Sequence, residues 1–273
     1  MEKTQNQIEI FLKAIPWVKN FKDKTFVLKY GGEVLQSKKN VKNISEDIDL
    51  LCTLGIHPVI VLGGGPQLDK ELNKQKIAFE KVKGMRIYSK EILGVAQKVF
   101  INVDKEMRKD VENQNITIKI IPADYIRVKK RKDLGFVGKV VSINPLFSKM
   151  VNGCTVPILP LFGWDEDGNL CNVNADDMAV SVAEMLNAEK LILHTSVDGV
   201  FDDKEKRIAH LDLGTAEEMI ADGHIKGGMI PKVLHCLESE KVGKIHIING
   251  NIPHALLYEI FTEKGIGTEI TRK

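Results

Sequence analysis

The sequence predicts an α/β fold, a three-layer αβα sandwich around a central, mainly parallel sheet. Short runs rich in Val, Ile and Leu, such as 25–30, 58–62 and 190–195, alternate along the chain with longer amphipathic stretches. Glycines follow two of these runs directly, at 31–32 and 63–65. Strands that alternate with helices are characteristic of βαβ units, in which the strands run parallel and helices cover the sheet.

The composition fits a globular enzyme rather than a disordered chain. Of the 273 residues, 28% are charged and 43% are hydrophobic. The net charge of +2 gives no reason to expect a nucleic-acid or membrane partner, and the sequence has no apolar run of transmembrane length. The four cysteines are widely spaced, which predicts neither a zinc site nor a disulfide framework. A reducing cytoplasm is the simplest compartment for such a chain.

The N-terminal quarter of the chain predicts one helix and then two strand–helix pairs. An amphipathic helix over 4–20 precedes the strand at 25–30. By pattern alone, this helix either packs on its own subunit or reaches a neighbouring one. A helix over 43–54 follows the first strand, and the strand at 58–62 leads into a helix that begins at Gln67.

The middle of the chain predicts a long helix over 89–113 and a strand over 116–121. An exposed β-hairpin is expected over 127–143, with the basic run 129–132 as its solvated turn, since no aromatic residues interleave with the charges. One strand is expected over 155–162.

The last hundred residues repeat the alternation. A polar loop at 171–174 is expected to lead into a helix over 175–187, because Asn and Asp side chains cap helix N-termini well. The remaining predicted elements are strands over 190–195, 244–248 and 267–271, helices over 215–222, 229–241 and 253–261, and a ligand loop over 196–203.

Two glycine turns are candidates for binding an anion. Gly31-Gly32 and Gly63-Gly64-Gly65 each follow a strand, and the second turn opens a helix. Glycine lets backbone N–H groups approach a ligand closely, and a helix N-terminus favours negative charge. Lys29, just before the first turn, is as compatible with anion binding as with a solvated surface position. Arg86 could clamp a carboxylate, although on spacing alone a surface arginine is the better interpretation.

Five motifs occur together in one order, and their combination is more specific than any of them alone. They are Lys29-x-Gly-Gly, Gly63-Gly64-Gly65, Gly84-Met85-Arg86, Asn172-Val173-Asn174-Ala175-Asp176 and Gly228-Met229-Ile230-Pro231-Lys232. In order and spacing, over nearly the whole chain, they resemble the amino acid kinase family. Within it, the chain is similar to the branch that phosphorylates N-acetyl-L-glutamate in arginine biosynthesis.

The resemblance implies an activity and a division of the chain. ATP would phosphorylate the side-chain carboxylate of N-acetyl-L-glutamate, with Mg²⁺ held mainly by the phosphates, with few protein ligands and no residue of this chain assigned to it. Residues 1–22 would form an oligomerisation helix, 23–188 an acceptor-binding and dimerising lobe, and 189–273 an ATP-binding lobe. Lys29 and Lys232 would flank the transferring group, and Asp176 would orient both lysines.

The resemblance also implies the binding residues. Gly64, Gly65, Arg86 and Asn172 would hold the acceptor, with Arg86 on a carboxylate. The nucleotide would lie against Gly31, Gly32, Ser196, Val197, Asp198, Gly199, Val200, Phe201, His224, Ile225 and Lys226. Three residues depart from the family pattern: Leu62 where His is usual, Tyr88 where Thr is common, and Ser196 where Asp is usual.

The N-terminal helix and the C-terminal segment resemble the arginine-inhibited, hexameric branch of this family. An L-arginine site would lie between that helix and the second lobe, lined by Trp17, His246, Glu259 and Gly265. The family has Tyr at the position of Trp17. From the sequence, two other functions stay open: a kinase for another amino-acid carboxylate, and a degenerate module that only binds arginine. A plain dimer instead of a hexamer also stays open.

Overall fold

A computed structural model of the chain describes residues 2–82, 84–112, 116–151, 155–226, 229–239, 241–242 and 244–271, with side chains omitted at 2–11, 213, 231 and 238. Gly228 of the fifth motif and Met1 of the predicted first segment therefore lie outside the described residues. In the described part of the chain, no helix is both long and apolar enough to cross a membrane.

The helices and strands alternate as predicted. The helices are α1 (Glu2–Phe21), α2 (Lys38–Thr53), α3 (Gly65–Lys74), α4 (Lys90–Glu112), α5 (Ala175–Met185), α6 (Leu213–Ala221), α7 (Met229–Glu238) and α8 (Ala255–Phe261). The strands are β1 (Thr25–Tyr30), β2 (His57–Leu62), β3 (Lys81–Val82), β4 (Met85–Arg86), β5 (Thr117–Ile120), β6 (Ile126–Lys130), β7 (Val137–Ile143), β8 (Thr155–Leu159), β9 (Phe162–Trp164), β10 (Leu170–Val173), β11 (Lys190–Thr195), β12 (His210–Asp212), β13 (Lys244–Asn249) and β14 (Thr268–Thr271).

Eight strands form the central sheet in the order β12-β14-β13-β11-β1-β2-β8-β5. All neighbouring strands in it run parallel except β13 and β14. Ligands bind at the carboxyl ends of the strands in sheets of this type. The glycine turns after β1 and β2 lie at this edge, together with the loop after β11.

Helices and apolar side chains cover both faces of the sheet. Successive side chains of a strand point to opposite faces. Val27 of β1 accordingly packs into one apolar cluster with Ala179 of α5. Phe26 packs into the other cluster with Ile48 of α2 and Leu256 of α8. The predicted αβα sandwich is confirmed.

A small closed barrel beside the sheet was not predicted. Its strands follow the order β10-β7-β6-β9, so the predicted exposed hairpin at 127–143 pairs further and is partly buried. The expected single strand over 155–162 is two: β8 belongs to the sheet and β9 to the barrel, with Pro160 between them. The expected loop at 171–174 is mostly strand β10, because Asn172 pairs with Phe162 and Val137.

Several predicted boundaries are wrong by a few residues. Helix α2 begins at Lys38 because the Ser37 side chain accepts a hydrogen bond from the Asn40 N–H and caps it. The helix predicted over 175–187 ends at Met185, and the one predicted over 229–241 ends at Glu238. Strand β12 and the short pair β3–β4 were not predicted.

Candidate active site

A cavity of about 260 Å³ opens at the carboxyl ends of β1 and β2. It brings together residues from all five motifs. Its lining residues are Lys29, Gly31, Gly32, Glu33, Gly63, Gly64, Gly65, Pro66, Asp69, Lys81, Gly84, Met85, Arg86, Tyr88, Phe100, Val137, Leu161, Asn172, Val173, Asn174, Ala175, Asp176 and Lys232. The three residues predicted to be catalytic and the four predicted to bind the acceptor are all among them.

Asp176 lies between the two lysines. Its Oδ1 is 2.7 Å from Lys29 Nζ, and its Oδ2 is 3.2 Å from Lys232 Nζ. Burial alone would raise the pKa of Asp176, but the charges of the two lysines bring it well below its ordinary value. Burial lowers the pKa of Lys29, and the nearby charge of Lys232 adds to that shift. For Lys232, the attraction of Asp176 outweighs burial and raises the pKa.

Local sequence fixes these three side chains. Lys29 lies near the carboxyl end of β1, where it is flanked by β2 and β11 in the sheet. Asn174 caps α5 by accepting the N–H groups of Asp176 (2.7 Å) and Asp177 (3.3 Å), which holds Asp176 in the first helical turn. Lys232 lies in the first turn of α7, which packs against α5.

The two glycine turns present backbone N–H groups to the cavity. A Cβ on Gly32 would lie 2.6 Å from Gln67 Oε1, and one on Gly64 would lie 2.5 Å from the ring of Phe100. Any other residue would therefore displace its neighbours. The Gly31 and Gly63 amides donate to His194 O and Tyr30 O, whereas those of Gly32 and Gly64 donate to no group in the described part of the chain. Unpaired amides that line a cavity suit an anion.

Arg86 and Asn172 also line the cavity. Asn172 is buried, and its Oδ1 has no hydrogen-bond partner among the described residues. The buried Arg86 guanidinium pairs with Asp69, lies 3.3 Å from the Tyr88 hydroxyl and packs over the ring of Phe79. The sequence interpretation of Arg86 as a surface residue is therefore wrong, and its location supports the interpretation from the resemblance.

Sequence reasoning missed several charged residues around the cavity. Asp69 pairs with Arg86 and also with Lys81 at 3.0 Å. The sequence spacing could have indicated Asp69, because this residue lies four positions after Gly65 and therefore on the same face of α3. The basic run 129–132 is not simply a solvated turn, because Arg131 lies 2.8 Å from the buried carboxylate of Asp177. Glu33 of the cavity lining was also not predicted.

Most residues predicted to bind the nucleotide lie outside this cavity. Only Gly31 and Gly32 line it. The segment 196–201 follows β11, where Asp198 accepts a hydrogen bond from Asn249 Nδ2 (2.7 Å) and the Val200 N–H donates to Thr268 Oγ1 (2.9 Å). His224 and Lys226 are exposed, whereas Ile225 is buried. The lining of this cavity thus includes all predicted catalytic and acceptor residues and, of the predicted nucleotide set, Gly31 and Gly32.

Two of the residues predicted to bind arginine, His246 and Glu259, form one contiguous network with Lys190. Glu259 Oε1 lies 2.6 Å from His246 Nδ1, and Oε2 accepts the amides of Ile266 and Gly267. Lys190 Nζ is 2.9 Å from His246 Nε2. Burial lowers the pKa of His246. Because an ammonium group can only donate, a hydrogen bond from Lys190 requires Nε2 to accept, which leaves Nδ1 to donate to Glu259.

The other two members of the predicted arginine set adjoin this network. A Cβ on Gly265, where φ is +54°, would lie 2.7 Å from Glu259 Oε2. Trp17 of α1 stacks on Phe21 at 5.9 Å between ring centroids, and the Phe21 ring lies under Lys190 Nζ. The C-terminal end of α1 thus packs on its own chain.

We expect Glu259→Gln to reduce the free energy of unfolding by about 3 kcal/mol at pH 7. Burial would raise the pKa of Glu259, but its hydrogen bonds lower it from 4.5 to about 2. A depressed folded-state pKa contributes stability above pH 4.5, which is lost as the pH falls towards 2. Denaturant unfolding at several pH values measures this, with the exposed Glu112→Gln as control. A difference between the wild type and Glu259→Gln that does not vary with pH would contradict it.

An open, mainly parallel sheet with a cavity at the carboxyl ends of its strands defines the class of α/β proteins that bind ligands at this edge. The profile of the amino acid kinase family matches residues 24–249, and the chain belongs to this family. Among its relatives, acetylglutamate kinase from Halothermothrix orenii is 38% identical, with all of both chains covered. Acetylglutamate kinase from Methanocaldococcus jannaschii is 42% identical over 97% of this chain and 96% of that one.

Solved structures agree on the fold. N-acetylglutamate synthase from Neisseria gonorrhoeae, in complex with coenzyme A and N-acetyl-glutamate, superposes with a TM-score of 0.89 over 97% of this chain at 23% identity. This chain spans 63% of the length of that protein. At such identity the likeness shows the fold alone.

Proposed function

We propose that this protein catalyses the ATP-dependent phosphorylation of the side-chain carboxylate of N-acetyl-L-glutamate, a step of arginine biosynthesis. The observation that carries the proposal is one cavity lined by Lys29, Asp176 and Lys232 together with Arg86 and Asn172. Full-length relatives named acetylglutamate kinase support it. A cytoplasmic location fits the wide spacing of the cysteines.

The reaction requires little covalent catalysis by the protein. The attacking carboxylate is already a nucleophile, so no general base is required. The enzyme has to bring two anions together and stabilise the charge on the transferring phosphoryl group. In this proposal, Lys29 and Lys232 flank that group, Asp176 orients both ammonium groups, and the amides of Gly32 and Gly64 bond its oxygens.

The acceptor binds on the opposite side of the same cavity. Arg86 binds the carboxylate of the acceptor that does not react, and Asn172, Gly64 and Gly65 hold the remaining polar atoms. Because Asp69 already pairs with the Arg86 guanidinium, the incoming carboxylate shares or takes over that partner. A guanidinium has five N–H donors, so it can bond both carboxylates at once.

ATP approaches from the loops after β11 and before α7. We propose that 196–201 and 224–226 border the nucleotide, with Gly31 and Gly32 at its phosphates. Each carboxylate oxygen of Asp176 already pairs with a lysine. No group of three or more metal-binding side chains occurs in the described part of the chain. Such a donor set fits Mg²⁺ bound mainly by phosphate oxygens and water, where it would offset phosphate charge.

ADP release in the presence of Mg-ATP tests the function. We expect turnover with N-acetyl-L-glutamate and much slower turnover with glutamate, aspartate or UMP. A preference for glutamate or aspartate would identify a kinase for another amino-acid carboxylate. No ADP release with any acceptor, together with measurable arginine binding, would favour a degenerate arginine-binding module.

Arg86→Lys is expected to raise the KM for the acceptor and to leave the KM for ATP nearly unchanged. Lysine keeps the charge but cannot make the two-pronged contact with a carboxylate, so the loss falls on acceptor binding. Steady-state kinetics with each substrate varied in turn measure both constants. A selective rise in the KM for ATP would place Arg86 on the nucleotide side of the site.

We further propose that α1 joins dimers into a hexamer and that L-arginine inhibits the enzyme by binding between α1 and the second lobe. The first lobe is 23–188 and the second is 189–273. The network of Lys190, His246 and Glu259 next to Trp17 supports the arginine site. A buried carboxylate suits a cationic guanidinium or ammonium group.

Deletion of residues 1–20 is expected to convert the hexamer into dimers and to abolish arginine inhibition while the enzyme remains active. The physical reason is that the deletion removes α1, which in this proposal both links the dimers and forms one wall of the arginine site. Light scattering and ADP release at increasing arginine concentration measure the two effects. A full-length protein that is a stable dimer and is indifferent to arginine would refute this regulation without touching the catalytic proposal.

A further inference from the structure

We propose that Asp177, held between Arg131 and His235, positions Lys232 for phosphoryl transfer. The inference rests on the proposed function, since Lys232 is the group that acts on the phosphoryl. It adds three positioning residues that touch neither substrate nor reacting atoms. Their effect on the reaction passes through helix α7, which carries Lys232.

The three side chains form a cluster behind the cavity, in which Asp177 and His235 are buried and Arg131 is 24% exposed. Asp177 Oδ1 lies 2.6 Å from His235 Nδ1, and Asp177 Oδ2 lies 2.8 Å from an Arg131 guanidinium nitrogen. The side chains of Asp177 and His235 are 4% and 8% exposed. Burial would raise the pKa of Asp177, but its bonds with His235 and Arg131 lower it below the ordinary value.

The cluster adds a second contact between α5 and α7, next to that of Asp176 with Lys232. Asp176 and Asp177 are neighbours in the first turn of α5. On α7, His235 follows Lys232 by three residues and therefore lies on the same helical face. The two helices thus meet through two adjacent polar contacts, Asp176 with Lys232 at 3.2 Å and Asp177 with His235 at 2.6 Å.

Only the first of these pairs is available to the reaction. When Lys232 turns part of its hydrogen bonding towards a phosphoryl oxygen, its bond to Asp176 weakens. The pair of Asp177 and His235 then holds α7 in place and keeps the Lys232 ammonium group within reach. Arg131, just after β6, bonds the second oxygen of Asp177 and fixes the orientation of that carboxylate.

Positional control explains this cluster better than stability does. A buried ionic cluster is seldom worth more to stability than apolar residues of the same volume would be. What the hydrogen bond from Arg131 and the close contact with His235 add is a fixed geometry. A displacement of about 1 Å in a catalytic group can cost about a hundredfold in rate.

Kinetics of Asp177→Asn and His235→Ala test the proposal, with Arg108→Gln on the surface of α4 as control. We expect kcat to fall about tenfold to a hundredfold while the KM for the acceptor stays within about twofold. His235→Gln can still donate an amide N–H to Asp177, so it should recover most of the lost kcat. A purely structural role would lower the melting temperature and leave kcat of the folded enzyme unchanged, which would overturn the proposal.

A double-mutant cycle shows whether the effect passes through Lys232. In a Lys232→Ala background, the added Asp177→Asn change should lower kcat no further, because its target is already missing. Independent, multiplicative losses would overturn the proposal.

A measurement that does not depend on turnover distinguishes a failure of this proposal from a failure of the proposed function. Failure of the wild type to phosphorylate N-acetyl-L-glutamate would count against the function alone. A crystal structure of Asp177→Asn in which Lys232 keeps its 3.2 Å contact with Asp176 would overturn the positioning role in either case. If Asp177→Asn does not fold, His235→Ala supports the same cycle and the same crystal comparison.

Discussion

Lys29→Ala and Lys232→Ala are each expected to lower kcat by about 10²–10³-fold, with little loss of folded protein. Both ammonium groups reach the cavity at the same carboxylate, so both can approach the same phosphoryl group. In a largely buried site, each unit charge that faces the transferring group is worth several times its value in water. Truncation removes that stabilisation from the transition state.

The two variants need not be equal in effect. Lys29 is almost completely buried, whereas the side chain of Lys232 is 23% exposed and can move towards the nucleotide. We therefore expect Lys232→Ala to change kcat and the KM for ATP together, and Lys29→Ala to change mainly kcat. Steady-state kinetics and circular dichroism of both proteins measure this, with Lys42→Ala on the surface of α2 as control. Near-normal turnover in both would rule out this assignment of the transferring site.

The central sheet could be predicted closely because its strands carry a strong signal. Strands buried on both faces appear in sequence as continuous apolar runs. The bounds predicted for β1 and β11 are those of the structure. The barrel carried no such signal, since β9 and β10 are short and contain glycine or asparagine. Their pairing depends on close contacts such as Gly163 against Ile126 and Val128, which only tertiary packing creates.

The candidate site shows the same limit. The resemblance predicted which residues line the cavity. For the two glycine turns the sheet explains why they meet, because the carboxyl ends of the neighbouring parallel strands β1 and β2 lie close together. It could not predict which charges pair with them. Two such pairs are Asp69 with Arg86 and Asp177 with His235. Their members are 17 and 58 residues apart in sequence, and no local pattern links them. The catalytic and binding roles of the grouped residues stay predictions.

Asp176→Asn is expected to have the largest effect of any single change, because one substitution disturbs both lysines. An asparagine keeps the shape but has no charge, so two ammonium groups then face each other in a buried site. Removing one partner of a buried ion pair costs about 3–5 kcal/mol. We expect a marked fall in the melting temperature, and a loss of kcat at least as large as that of either lysine variant.

A second substitution separates stability from catalysis. In Asp176→Asn combined with Lys29→Met, the cation buried most deeply is gone, so the repulsion disappears and much of the lost stability should return. The kcat should stay as low as in Asp176→Asn, because the double variant lacks both a charge at the phosphoryl group and the carboxylate that orients Lys232. Thermal unfolding and ADP release of the wild type, both single variants and the double variant measure this. Recovery of kcat together with stability would show that Asp176 only supports the fold and does not orient the lysines.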